Sequence, residues 1–187
     1  METSTIVIII IVGLLLLLAF YIIGVYNKLV NARNKVNNQW SQIEVQLKRR
    51  ADLIPNLVET VKGYAKHEEG TFKAVVEARN KAVSAGTVND KIGAENELTG
   101  ALTKLFALTE AYPELKANEN FMSLQKDLKD TEDKITYARQ FYNDTAMSFN
   151  DLVEMFPSNV VAGMFGFKRF EFFSATEEEK QTPKVKF

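Results

Sequence analysis

Residues 6–25 read IVIIIIVGLLLLLAFYIIGV and contain no charged side chain and no amide. About 20 apolar residues, each rising about 1.5 Å, form a helix that can cross the roughly 30 Å hydrocarbon core of a bilayer. A cleaved signal peptide would instead have a basic start, a shorter apolar stretch and a small-residue cleavage site. Here Glu2 is the only charged side chain before the run, and bulky Tyr21 and Tyr26 stand at its end. These features predict an uncleaved anchor, with residues 1–25 as the N-terminus and transmembrane helix.

The basic residues lie on one side of this segment. No Lys or Arg precedes it, whereas Lys28, Arg33 and Lys35 follow it closely. Basic residues next to a span favour the cytoplasmic side. We therefore expect a single-pass protein of the cell membrane, with the N-terminus outside, the C-terminal domain in the cytoplasm and the lipid bilayer as one partner.

Two long helices are predicted from apolar side chains that recur every three or four residues, close to a coiled-coil seam. The first can continue from the span, and Pro55 is expected to kink it. The second is capped by Asn118 or Asn120 and ended by Pro157. The first series is Tyr26, Leu29, Arg33, Val36, Trp40, Ile43, Leu47, Arg50, Ile54, Leu57, Val61 and Tyr64, and the second is Phe121, Leu124, Leu128, Thr131, Ile135, Ala138, Tyr142, Thr145, Phe149, Leu152 and Phe156.

Two shorter helical stretches lie between them, at about 71–85 and 92–112. Short connections make successive helices antiparallel neighbours. The predicted fold class is therefore all-α, a single N-terminal transmembrane helix followed by an antiparallel four-helix-bundle-like domain with two long and two short helices, at residues 26–157. The short helices can cover only the distal part of the long pair. The part near the membrane then needs cover from self-association or from the C-terminal segment.

Residues 158–175 form an aromatic C-terminal segment that contains five Phe side chains, with Lys168 and Arg169 among them. These Phe rings can pack onto the uncovered part of the bundle, or they can contact lipid or a neighbouring subunit. Residues 176–187 contain three consecutive Glu and one Pro, which predicts a disordered acidic tail.

Composition limits the chemistry. The chain has no Cys, one His and a formal net charge of −1, which argues against thiolate sites, multi-imidazole sites and a dedicated nucleic-acid binder. A di-iron bundle needs two Glu-x-x-His motifs, and His67 with Tyr64 three residues earlier supplies neither. No phosphate-binding loop or nucleophile elbow is present. We predict no catalytic, metal or cofactor site, no small-molecule substrate and no nucleic-acid partner.

Some side chains are candidates for an interface because they fall on the seam or in the aromatic segment. A packing role competes with each: the Arg stems can lie along the bundle and pair with acids such as Asp151 or Glu154, and a lone Trp is more often core than binding anchor. The candidates are Trp40, Arg33, Arg50, Phe165, Phe167 and Phe170.

Several motifs together resemble the LemA family. They are Tyr26-Asn27-x-Leu29-Val30, Trp40-Ser41-Gln42-Ile43, Gln46-Leu47-Lys48-Arg49-Arg50, Asp52-Leu53-Ile54-Pro55-Asn56-Leu57-Val58, Val61-Lys62-Gly63-Tyr64, Glu110-x-Tyr112-Pro113-Glu114-Leu115 and Gly166-Phe167. The resemblance implies a bacterial-type membrane protein with one N-terminal span, a small extracellular N-terminus and an antiparallel helical bundle. It supplies no catalytic residues, and it implies a function that is poorly defined.

The leading functional hypothesis is a membrane-anchored, non-enzymatic scaffold or adaptor that forms a homo-oligomer. The alternative is a regulatory adaptor of a membrane-bound enzyme such as a protease, with a membrane protein as its partner. An enzyme that uses carboxylates at the distal tip is a third hypothesis, since acids are numerous in the chain.

Overall fold

The structure is a computed structural model that describes residues 3–173, and these form six α-helices with no β-strand among them. The helices are α1 (Thr3–Lys62), α2 (Glu69–Ser84), α3 (Val88–Thr109), α4 (Pro113–Lys116), α5 (Glu119–Glu154) and α6 (Ser158–Met164). The predicted all-α class, with two long and two short antiparallel helices, is confirmed. The predicted acidic tail at 176–187 lies outside the described residues.

The apolar run and the first long helix are one element, because α1 continues without interruption through 60 residues. Within the described residues it is the helix that is long and apolar enough to cross a membrane, with a mean hydropathy of 3.4 over its most apolar window. Pro55 lies inside α1 without ending it.

The starts of the later helices follow from side-chain caps. The Asn118 carboxamide oxygen accepts from the Phe121 backbone N–H at 3.0 Å, which confirms one of the two predicted caps of α5. The Thr87 hydroxyl oxygen accepts from the Asp90 N–H at 3.1 Å, so α3 begins at Val88, earlier than the predicted 92. The single turn α4 was not predicted, and it begins with Pro113, a favourable first residue of a helix.

The chain divides into two compact units. The bundle unit comprises residues 42–139 together with Phe173. Its core is apolar and draws on every helix that passes through the unit. Its Ile, Leu and Phe side chains are Ile54, Leu57, Phe72, Leu98, Leu102, Leu105, Leu115, Phe121 and Leu128.

The anchor unit comprises residues 3–41 and 140–172. Leu29 and Val36 of α1, Phe149 of α5 and Val161 of α6 are buried in it. The C-terminal segment therefore covers this part of the long helices. Phe156, which the period of α5 placed on the seam, is 82% exposed. That prediction is wrong because α5 ends at Glu154, and the helical period no longer determines where residue 156 points.

Candidate functional site

The bundle unit has a buried charge at its centre. Arg50 of α1 is 1% exposed, and its guanidinium donates to the carboxylates of Glu95 on α3 and Glu132 on α5. It also donates to the Glu95 carbonyl at 3.2 Å and to the Thr99 hydroxyl at 3.1 Å. Position 50 lies on the inward seam of α1, so the stem lies among apolar side chains and its fork meets both acids. The cluster ties α1, α3 and α5 together.

The acids that pair with Arg50 differ from those expected. The sequence suggested Asp151 or Glu154, but the structure gives Glu95 and Glu132, and Glu154 pairs with Arg169 at 2.6 Å. This correction has a simple cause: the period of α1 shows that Arg50 faces inward but does not show which helices meet it there. The placement of Arg50 favours packing within the chain.

A cavity of about 330 Å³ lies beside the Arg50 cluster. Leu102, Phe106 and Leu128 form its apolar wall, and Lys129 and Asp133 lie at its polar side. Arg50 is already shared between two carboxylates, so its charge is largely neutralised before any ligand arrives. No group of three or more His, Cys, Asp or Glu side chains that could hold a metal occurs between residues 3 and 173.

A second polar contact in the bundle unit involves Pro55. Proline has no N–H, so the carbonyl of Ala51, four residues earlier, receives no helical hydrogen bond from it. The Nε–H of Arg79 on α2 donates to the Ala51 oxygen at 3.2 Å instead. The break in the backbone ladder of α1 therefore becomes an attachment point for α2.

Aromatic rings pack together in the anchor unit. The Tyr26 ring lies 4.8 Å from the Phe165 ring and 5.9 Å from the Phe167 ring, between centroids. Phe149 contacts Phe167 at 6.2 Å and Phe170 at 5.2 Å. These tilted, edge-on arrangements are the ones that aromatic pairs prefer. The aromatic C-terminal segment thus packs on both long helices of its own chain.

Backbone contacts fix the path of this segment. The Asn150 carboxamide donates to the Phe170 carbonyl and accepts from the Phe170 N–H, both at 2.9 Å. The Tyr142 hydroxyl donates to the Glu171 carbonyl at 3.1 Å. Burial raises the pKa of Tyr142, and the negative charge of Glu171 raises it further. Sequence reasoning missed Asn150, whose only signal is an amide beside the seam residue Phe149.

The six interface candidates are divided between the two units. Arg50 is in the bundle unit, and the other five are in the anchor unit. Trp40 is half-buried with its ring 5.9 Å from that of Tyr142, and the Arg33 guanidinium lies 5.3 Å from the Phe167 ring centroid. Phe167 and Phe170 are partly buried, whereas Phe165 is half exposed. An interface role for these residues stays a prediction.

Sequence reasoning also missed an exposed aromatic side chain of the anchor unit. Phe141 of α5 is 60% exposed in the anchor unit, next to the buried Tyr142. Phe141 falls outside the apolar series of α5. A large apolar side chain at a position off the seam is the feature of the sequence that could have identified it.

Comparison with known proteins identifies the family. A family model described as LemA family matches residues 39–187. Magnetosome protein MamQ of Magnetospirillum gryphiswaldense is 26% identical over 79% of this chain and 64% of its own length. Magnetosome protein MamQ 2 of Paramagnetospirillum magneticum is 27% identical over the same shares, and Protein LemA of Metamycoplasma hominis is 28% identical over 86% of this chain and 74% of its own length. This chain therefore spans less than two thirds of the length of the MamQ relatives.

Proposed function

The chain belongs to the LemA family, and from that premise we propose that it is a membrane-anchored, non-enzymatic helical scaffold that associates with copies of itself. The observation that carries the proposal is the continuity of α1. One 60-residue helix contains both the apolar run and the seam residues of the bundle. The apolar run and the bundle are thus joined without an intervening loop, which suits a scaffold fixed to a membrane.

The internal charges support a structural role. Glu132, one of the two acids that line the cavity, binds the Arg50 guanidinium, and so does Glu95. Carboxylates held in this way contribute to packing and are poorly placed to act as a general acid and base.

The basic residues after the apolar run suggest how the chain lies in the membrane. Because Lys28, Arg33 and Lys35 follow the run, we place the N-terminus outside and the bundle in the cytoplasm. A cysteine introduced by Thr3→Cys should then react with a membrane-impermeant maleimide in intact cells, whereas one introduced by Asn38→Cys should react only after permeabilisation. The reverse pattern would invert the orientation.

Self-association is proposed through the anchor unit. Phe141 presents a large exposed ring to the surroundings, and the half-buried Trp40 is a second candidate. Aromatic side chains of this kind dominate the binding energy of protein interfaces. The seam itself is less suited to this role, because the chain covers it with its own C-terminal segment.

The absence of Cys in the natural chain gives a clean test. With Phe141 retained, Ser148→Cys and Met147→Cys place single thiols at exposed positions of α5, about 20° and about 120° around the helix axis from Phe141. In lipid vesicles, a short bis-maleimide should couple chains through position 148 with several-fold higher yield than through 147. Equally low yields at both positions would contradict association through Phe141, and recovery of a membrane hydrolase with the chain would then favour the adaptor function.

A further inference from the structure

The turn after α5 and one side of α6 are apolar and exposed. Val161 and Ala162 of α6 are buried, so this short helix has one packed side and one bare side. The bare residues are large and at least half exposed, with Phe156 the most exposed at 82%. We call them the α6 patch: Met155, Phe156, Val160, Met164 and Phe165.

The position of the patch relative to the apolar run follows from two contacts within the anchor unit. The Phe165 ring packs on Tyr26, which comes directly after the last residue of the run. A groove of the anchor unit extends from Gly24 to Lys35 along α1 and from Leu152 back to Thr145 along the antiparallel α5, so Gly24 and Leu152 lie at the same end of it. Since α1 and α5 are antiparallel, the chain beyond Leu152 continues towards the N-terminal end of α1. Phe156 is therefore level with the last turns of the apolar run.

Basic side chains lie close to this level. Lys28 follows the run by three residues and lines the same groove, which Asp151 also lines. Lys168 follows Phe167 of the aromatic segment, and the neighbouring Arg169 pairs with Glu154. An apolar surface bordered by Lys or Arg is the combination that the headgroup region of an anionic bilayer attracts.

We propose that the α6 patch is a second membrane contact, inserted at the boundary between headgroups and acyl chains of the leaflet where α1 emerges. Its occupant is lipid, because the patch continues the apolar surface of the run through the Tyr26–Phe165 contact. The inference rests on the membrane anchor of the proposed function. It adds that the anchor unit touches the bilayer at two places, the span and the patch, which restricts how the unit can tilt.

The test uses nitroxide labels on single cysteines in the full chain, reconstituted into vesicles of phosphatidylcholine and phosphatidylglycerol. Phe156→Cys reports the patch, and Val160→Cys repeats the measurement at a second patch position. Leu16→Cys reports the apolar run. Asn38→Cys is the aqueous control, an exposed position about 20 Å along α1 from the end of the run. For each label, collision rates with lipid-soluble oxygen and with a water-soluble nickel complex are compared.

We expect the ratio of the oxygen collision rate to the nickel collision rate at positions 156 and 160 to exceed the ratio at position 38 several-fold. It should approach the ratio at position 16. If the oxygen-to-nickel ratio at positions 156 and 160 equals that at position 38, while the label at position 16 lies in lipid, the inference is overturned and the anchor stays intact. Protection from both reagents, with spin–spin broadening between chains, would assign the patch to a second copy and also overturn it. A label at 16 that collides mainly with nickel would refute the anchor itself, and the inference with it.

Discussion

Replacement of the buried Arg50 is the sharpest test of how the bundle unit is held together. We consider Arg50→Met, because Met is unbranched, favours helix and keeps much of the apolar stem. The variant leaves the Glu95 carboxylate, whose side chain is 4% exposed, buried without its cation. Glu132 is 38% exposed and can recover its hydration in water.

The unfolding free energy that Arg50→Met removes can be estimated from these exposures. Removing one partner of a buried ion pair costs about 3–5 kcal/mol, since the remaining charge lacks both water and its counterion. Only one of the two acids remains fully buried, so we expect about 3–4 kcal/mol of lost unfolding free energy. For a chain of this size, that corresponds to a fall of about 10 °C in Tm.

The assay is unfolding of the full chain in detergent micelles, followed by circular dichroism. Adding Glu95→Gln to Arg50→Met removes the stranded charge, so the double variant should cost less than the sum of the single variants by at least about 1.5 kcal/mol. The matched control is Lys48→Met, which breaks the exposed pair with Asp52 and should cost at most about 0.5 kcal/mol. A loss below about 1 kcal/mol for Arg50→Met, or strict additivity with Glu95→Gln, would refute the reasoning.

Two further predictions concern single hydrogen bonds. Arg79→Leu removes the donor to the Ala51 carbonyl and should lower the unfolding free energy by about 1 kcal/mol. Adding Pro55→Ala should reduce that loss, because the N–H of residue 55 then donates to the same oxygen. An unchanged loss in a double-mutant cycle would contradict this role of Arg79. Tyr142→Phe removes the bond to the Glu171 carbonyl and should cost about 1 kcal/mol at neutral pH. The pKa of Tyr142 is higher in the folded state than in the unfolded state, where it is about 10. The stabilisation that Tyr142 gives the folded state is therefore complete below about pH 10 and is lost as the pH rises through the folded-state pKa. Above about pH 10, the natural chain should lose stability relative to the Tyr142→Phe variant. A difference in unfolding free energy that stays constant across this pH range would contradict the prediction.

Local rules were sufficient to predict the long helices. The spacing of apolar side chains placed Leu29, Val36 and Ile43 on the inward side of α1, and all three are fully buried. The same rules predicted the Asn118 cap. These features depend on residues within one or two turns of each other, so the sequence carries them directly.

Features that depend on distant residues were not predicted. Glu95 and Glu132 are 45 and 82 residues from Arg50, and no helical period identifies them as its partners. The direction of Phe156 was also missed, because a turn after Glu154 separates this residue from the period of α5. The motifs that resemble the LemA family predicted the family, which the match over residues 39–187 confirms.

The mass of the intact chain in a native-like lipid environment tests the central claim most directly. The whole chain is required, because removing residues from Phe156 onward would uncover the rings of Tyr26 and Phe149 and create a new apolar surface. A self-associating scaffold predicts a defined particle whose protein mass is at least twice the 21.2 kDa of one chain at micromolar concentration. A protein mass of 21.2 kDa under the same conditions would contradict it.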